Sequence, residues 1–260
     1  NKTNRATATG VPSKRVLKHF QNKSCRTGSF FSAPFTTVVF CFKNLTNVKP
    51  LKFIAISDTH CRHKSLKLPK GDAIIHAGDV TYKGEQSEVV DFLQWFGKLN
   101  YTYKIFIAGN HDFYFEKAAP ATIQSLIPKD VIYLNDSGIT IGNINIWGSP
   151  VTPWFYNWAF NKPRGPAINR HWKLIPPNTD ILVTHGPAYG ILDTIINGSN
   201  AGDRDLRKRI EEIKPKVHIC GHIHEAYGST RWNGTRFINA TVLNESYELV
   251  NPPVLFDLSV

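Results

Sequence analysis

Methionine is absent from all 260 residues, position 1 included, which fits a fragment or a processed chain. Cysteine is scarce. Cys25, Cys41, Cys61 and Cys220 are the whole set, and no two form a CxxC pair. That spacing argues against a thiolate zinc site or a dithiol redox motif. A disulfide framework would be out of place in a chain this long. The thiols therefore read as reduced, and a cytoplasmic compartment is expected. Long apolar runs are also missing. The longest, Phe35 to Phe42, is broken by two threonines and falls well short of the roughly 18–20 residues of a spanning helix. No membrane span is expected.

Acidic side chains are missing from residues 1–50, which hold nine Lys or Arg, whereas the other 210 residues hold 22 basic and 20 acidic groups. Nine units of the net charge of +11 thus belong to an N-terminal extension, residues 1–50, and the body, residues 51–260, is nearly neutral at +2. A basic nucleic-acid-binding face on the body is not supported. The extension is Arg/Ser-rich and reads either as a mitochondrial-type transit segment or as a disordered or artificial addition. Within it, Val38 to Phe42 could add a strand to the body. Nine Asn-x-Ser/Thr sequons would imply secretion if glycosylated, but no signal-peptide pattern accompanies them. Mitochondrial and secreted destinations stay open beside the cytoplasmic one. No stretch marks an oligomer interface.

What is present suffices for a core: 42% of residues are hydrophobic and 20% charged. From Leu51 onward, short apolar runs alternate with helical patterns, which argues α/β layers. Strands are expected at Lys52–Ser57, Ala73–Ala77, Tyr103–Ala108, Asp180–Thr184, Val217–Cys220, Thr235–Asn239 and Val254–Asp257. Gln86–Leu99 reads as an amphipathic helix with Val89, Val90, Phe92, Leu93 and Phe96 inward. A short helix is expected at Ala121–Leu126 and a charged one at Asp203–Ile213. Gly142-Asn143 reads as a hairpin turn between Ile139–Ile141 and Ile144–Trp147, and Asn233-Gly234 as a second turn.

Five of the buried strands end in metal-type side chains: Asp58-Thr59-His60, Gly78-Asp79, Gly109-Asn110-His111-Asp112, Thr184-His185-Gly186 and Gly221-His222-Ile223-His224. In α/β sheets, ligands bind beyond the carboxyl ends of strands, so these segments would converge. Asp58 and His60 are two residues apart, as are His222 and His224, and such pairs face one side in extended backbone. Asp58, His60, Asp79, Asn110, His185, His222 and His224 make seven donors. One zinc takes about four; seven suit two ions sharing a carboxylate.

In order and spacing these segments resemble the calcineurin-like metallophosphoesterase superfamily, whose pattern is D-x-H, G-D, G-N-H-[DE], H and G-H-x-H. The likeness runs through residues 52–258. ISDTHCRH, HAGDVTYKGEQSEVVDFLQWFGKL, KIFIAGNHD, WGSPVTPWFYNWAFNKPRG, VTHGPAYGILD, CGHIHEAYG and NPPVLFDL are similar to the brain-type metallophosphodiesterase and class III cyclic-nucleotide phosphodiesterase branch. The resemblance implies a four-layer α/β/β/α sandwich with mixed sheets. It implies that Asp58, His60, Asp79 and His224 hold a first metal, with Asp79 bridging, and that Asn110, His185 and His222 hold a second. It implies that His111 serves the leaving oxygen and that Asp112 orients His111.

Two divalent ions are expected, manganese, iron or zinc, with manganese favoured. The implied activity is a phosphodiesterase acting on small phosphodiesters, cyclic nucleotides among them, through a hydroxide bridging the ions. A phosphomonoesterase and a weakly catalytic or non-catalytic scaffold on the same fold are the alternatives. The Asp-Arg-Gly of Ser/Thr protein phosphatases is replaced here by Tyr82-Lys83-Gly84. Purple acid phosphatases carry a tyrosine at the Tyr82 spacing but lack a histidine at the His60 place. Arg62 and His63 follow the first segment closely enough to touch phosphate. Trp154 and Phe155, with Tyr156, Trp158 and Phe160, could wall a substrate pocket and stack a base. Cys61 stands where a small residue is usual and reads as a passive side chain or a trap for a soft metal. His76 and His218, inside strands beside the site, read as hydrogen-bonded core residues or as supports for ligands.

Overall fold

Alternation within the apolar strands decides which layer each side chain enters. The computed structural model describes residues 49–259; Val38–Phe42, Cys25, Cys41 and almost all of the basic extension lie outside them. In chain order the elements are β1 (Leu51–Ile56), β2 (Ala73–Ala77), α1 (Gln86–Gly97), β3 (Tyr103–Ile107), α2 (Phe113–Lys117), α3 (Pro120–Leu126), β4 (Val131–Tyr133), β5 (Ser137–Ile141) and β6 (Ile144–Ser149). There follow β7 (Thr152–Pro153), β8 (Asn161–Lys162), α4 (Pro166–Trp172), β9 (Ile181–Thr184), α5 (Arg204–Ile213), β10 (Val217–Cys220), β11 (Gly228–Trp232), β12 (Thr235–Asn239) and β13 (Val254–Leu258).

One sheet has the order β13-β1-β2-β3-β4 and the other β11-β12-β10-β9-β6-β5. In the first, β1 to β4 run parallel and β13 is antiparallel to β1. In the second, β12, β10, β9 and β6 run parallel, with β11 and β5 as antiparallel edges. The sheets are mixed, in an α/β arrangement.

Three apolar layers follow. Phe53 and Ala55 of β1 face the second sheet, in a core with Ile75, Ile105, Ile146, Ile181 and Ile219. Ile54 and Ile56, one residue out of phase, face the helices with Phe92, Phe96 and Phe106. Leu182 and Phe237 of the second sheet pack with Ile168, Trp172, Leu206 and Ile210 of α4 and α5. This period-two division is what a strand buried on both faces requires. Each fully buried large side chain contributes about 1.5–3 kcal/mol. Phe53 stacked on Phe256 at 5.1 Å is one case.

Local signals account for the helix ends. Glu85 and Glu88 form a reciprocal capping box at the start of α1, satisfying two otherwise orphaned amides. Asp203 caps α5 by accepting the Leu206 amide at 2.8 Å. The inward face of α1 is Val89, Phe92, Leu93 and Phe96; Val90 is half-buried at its flank. At the Asn233-Gly234 turn both φ angles are positive, 48° and 86°, as a tight type I′ hairpin demands. The strands end where the metal-type segments begin. β1, β2 and β3 present three of them and β9 and β10 the other two, so the segments meet at the seam between the sheets.

Candidate metal centre

Sharp turns after the strands aim the ligands. Asp58, His60, Asp79 and His222 all have left-handed φ, at 54°, 39°, 56° and 69°, a conformation that L-residues adopt only at a cost. Glycines stand where a side chain would foul the site. A Cβ on Gly221 would collide with the Asp58 carboxylate and the Ser57 hydroxyl, and one on Gly109 with Asp79.

Three groups of ligand atoms lie within 4.8 Å of one another: Asp58, His60 and His224; Asp58, Asp79 and His185; and His60, Asp79 and His111. Asp79 Oδ2 is 3.3 Å from His185 Nε2 and 3.7 Å from His60 Nε2. Asp58 Oδ1 is 3.5 Å from His224 Nε2. Asn110 Oδ1 lies 2.9 Å from His185 Nε2. His222 completes the ring of donors, its imidazole 5.0 Å from that of His185. The structure therefore brings all seven sequence-derived donors together, with His111 beside them.

Main-chain oxygens set the tautomers. His60 Nδ1 bonds Thr81 O at 3.1 Å, His185 Nδ1 bonds Ala77 O at 2.9 Å and His224 Nδ1 bonds Asn244 O at 2.8 Å. His111 Nδ1 bonds Tyr82 O at 2.7 Å. A carbonyl only accepts, so each Nδ1 carries the proton and each Nε2 turns to the centre. His60 Nε2 is buried without a hydrogen-bond partner. A buried nitrogen lone pair left unpaired is costly, and a cation satisfies it. The donor set of imidazole Nε2 atoms, two carboxylates and an amide oxygen fits divalent transition ions.

Charge follows the same geometry. Burial pushes the His60 imidazole down to about 4 and that of His222 to about 3. Burial opposes charge at His185 too, but the Asp79 carboxylate outweighs it and holds His185 at about 9. At His224 burial is likewise overcome, by the bond to Asp58, and the value is again about 9. Asp58 and Asp79 are both held below the ordinary carboxylate range, because these histidines overcome the effect of burial.

Hydrogen bonds stitch the ligand loops to one another. The His222 amide donates to both oxygens of Asp58 at 3.0 Å, across the two sheets. Asp112 accepts from the amides of Gly109 (2.7 Å), Thr81 (2.9 Å) and Val80 (3.2 Å) and from the Thr81 hydroxyl (2.6 Å). This corrects the expected orienting of His111. The Asp112 carboxylate is consumed by four donors in the loops after β2 and β3, and His111 Nδ1 is held by Tyr82 O instead. His76 and His218 support ligands from behind. His76 Nε2 lies 2.9 Å from the Thr59 hydroxyl, between Asp58 and His60 in sequence. His218 Nε2 lies 2.8 Å from the hydroxyl of Thr184, the residue before His185.

The cleft over these groups, about 270 Å³, is lined in part by Phe155, Trp158, Glu225, Glu245 and Tyr247. A larger groove of about 550 Å³, near Arg164 and Tyr189, holds none of the metal-type donors. Of the expected substrate-binding residues, only Phe155 lines the cleft. Arg62 is exposed and outside it. His63 turns inward on a short 3₁₀ turn and is buried against Trp95 and Phe92, with ring centroids at 4.8 and 5.7 Å. Its Nε2 lies 3.3 Å from Asp91 Oδ2, though without hydrogen-bond geometry. Trp154 is 60% exposed and is not among the residues that line the cleft.

Trp158 takes the place expected of Trp154, its ring 4.4 Å from that of His111. Cys61 is half-buried and belongs to no candidate ligand group. Burial and then Glu88 push its thiol up to about 12, so it is not a thiolate donor. Tyr247, Glu225 and Glu245 were not apparent from sequence, because no local pattern ties them to the ligand segments.

The family model for calcineurin-like phosphoesterases matches residues 51–226, and the chain belongs to that family. It is 42% identical over 231 residues to metallophosphoesterase domain-containing protein 1 of Homo sapiens, covering 80% of this chain and 71% of that one. A UPF0046 protein of Caenorhabditis elegans is 37% identical over 246 residues, covering 83% of this chain and 62% of its own length. Among solved structures, the phosphopantetheinyl hydrolase of Mycobacterium tuberculosis shares the fold, with a TM-score of 0.52 at 17% identity over 75% of this chain and 90% of that one. Among the described residues, no helix is long and apolar enough to cross a membrane.

Proposed function

We propose that this chain is a two-metal phosphodiesterase for small phosphodiesters, cyclic nucleotides among the candidates, with manganese as the preferred ion. The observation that carries the reading is the shared orientation of the histidines. Nε2 of His60, His185 and His224 faces paired carboxylates because each Nδ1–H is spent on a carbonyl. Asp58, His60, Asp79 and His224 would hold one ion, and Asp79, Asn110, His185 and His222 the other. When bound, the ions supply an activated water and neutralise phosphoryl charge.

The protein's own residues do the rest. The Asp58–His222 amide bonds and the Asp112 network hold the ligand loops at fixed separation, so little reorganisation is needed during reaction. His111, anchored at Nδ1 by Tyr82 O and backed by Trp158, presents Nε2 to the cleft; a proton carried there would pass to the departing ester oxygen. The bond from phosphorus to that oxygen breaks, a bond from phosphorus to a water oxygen forms, and no covalent enzyme adduct is required. Phe155 and Trp158 close one side of the cleft against solvent.

The test is manganese-dependent hydrolysis of bis-p-nitrophenyl phosphate against p-nitrophenyl phosphate, with Asp79→Asn in parallel. Asparagine tolerates the left-handed backbone at this position and removes only the charge. Diester preference that collapses in Asp79→Asn is the expected result. Preference for the monoester would establish a phosphomonoesterase instead. Inactivity on both esters with metal bound would leave a binding role.

A further inference from the structure

The walls of the cleft show a charge pattern that the metal centre does not need. We infer that the cleft selects phosphodiesters whose non-departing group carries an alkylammonium cation, an inference that rests on the phosphodiesterase reading. Glu225 and Glu245 stand at the cleft, and among the described residues no lysine or arginine lines it. Neither glutamate belongs to a candidate metal group. Glu225 is braced by the Ile196 amide, 3.3 Å from Oε1.

Beside the carboxylates are aromatic rings. Tyr247 is held at φ 59°, with its ring 5.0 Å from His60 and 5.2 Å from His224. Phe155 and Trp158, which also line the cleft, stack on one another with ring centroids 6.4 Å apart. The metal-type donors His60, Asp79 and Asn110 line the same cleft, so a phosphoryl group held at the centre would leave the rest of its ester beside these rings and carboxylates. Carboxylates and ring faces around one space are the chemistry that recognises an ammonium group. A second anionic group on the substrate would meet like charge. Two carboxylates at ~6 Å in a water-like dielectric discriminate between a cation and a neutral group by roughly tenfold.

Two chromogenic diesters isolate the effect: p-nitrophenyl phosphorylcholine and ethyl p-nitrophenyl phosphate. Both release p-nitrophenolate from a monoanionic phosphoryl group, and they differ in the trimethylammonium head. With the manganese-loaded protein, kcat/KM is expected to favour the choline ester by at least about fivefold. Calorimetric binding of phosphorylcholine against ethyl phosphate should show the same preference. In Glu225→Gln/Glu245→Gln, both ratios should fall to about one. The substituted side chains are exposed, and circular dichroism would check the fold. Equal handling of the two heads, or a preference that survives in the double variant, overturns the inference. If both esters are hydrolysed at equal rates, the selectivity fails while the phosphodiesterase reading stands. If neither is hydrolysed but phosphorylcholine still binds more tightly in a glutamate-dependent way, the cleft recognises the cation and the hydrolase reading fails.

Discussion

Metal binding must displace protons, and the structure says how many and where. In the metal-free protein His185 and His224 titrate at about 9, one histidine for each expected ion. At pH 7 roughly 1% of each is unprotonated and at pH 8.5 roughly a quarter, so each site should gain about twentyfold in affinity, or about 1.8 kcal/mol. The stability of the metal-free protein should move the opposite way. Both groups have folded values above the ordinary histidine value of 6.5. Their contribution is therefore fully present below pH 6.5 and is lost as the pH rises through about 9. Manganese titration by calorimetry at pH 7 and 8.5, in buffers of different ionisation enthalpy, measures affinity and proton release together. Close to one proton per ion is expected at pH 7. Affinity that changes less than about threefold, with no proton released, would refute the proton-competition reasoning.

Other consequences can be checked one at a time. Gly221→Ala places a methyl group against Asp58 and Ser57 and should abolish binding of the ion held by Asp58 and His224, as read by metal content after dialysis. Asp112→Asn turns an amide toward donors that now meet a carboxylate; metal affinity should drop about 10–100-fold, measurable with the same calorimetry. His76 and His218 are held neutral by burial, each at about 3. Their stabilisation is present above pH 6.5 and fades as pH falls toward 3, by about 1.4 kcal/mol per histidine per pH unit. Urea midpoints at pH 6.5 and 5.5 should show it, and His218→Gln should halve the slope these two residues contribute. Phe92→Ala, in the layer under α1, should cost about 3–5 kcal/mol in urea unfolding.

The readable parts of the fold were those with strong local periodicity. β1, β2, β3, β9, β10 and α1 follow from apolar runs and a helical stripe, and their ends fall within a residue or two of expectation. β4 at Val131–Tyr133 and β11 at Gly228–Trp232 carry no strand signal of their own, for different reasons. The first is three residues long, and the second is largely exposed, with Gly, Ser, Thr and Arg in place of an apolar run. Both are edge strands, defined by a neighbour instead of by their own composition. The ligand segments were readable because each donor follows a strand directly. The cleft walls were not. Nearness in sequence suggested Arg62 and His63, but a 3₁₀ turn takes His63 into the core. Tyr247 reaches His60 from 187 positions away along the chain, and no pattern within a segment encodes such a meeting. The role of Asp112 departs from expectation for a related reason. Adjacency to His111 in sequence does not decide which donors surround a buried carboxylate.

The placement of the centre at the seam between the sheets gives it a mechanical role. Three donor loops belong to one sheet and two to the other, so an ion held by both sides acts as a rivet through the sandwich. Prising the layers apart then requires releasing the ion. By mass action, an ion present at a hundred times its dissociation constant adds about 2.7 kcal/mol to the resistance to unfolding. The melting temperature of this protein should therefore serve as a gauge of how fully its centre is loaded, whatever ester it cleaves.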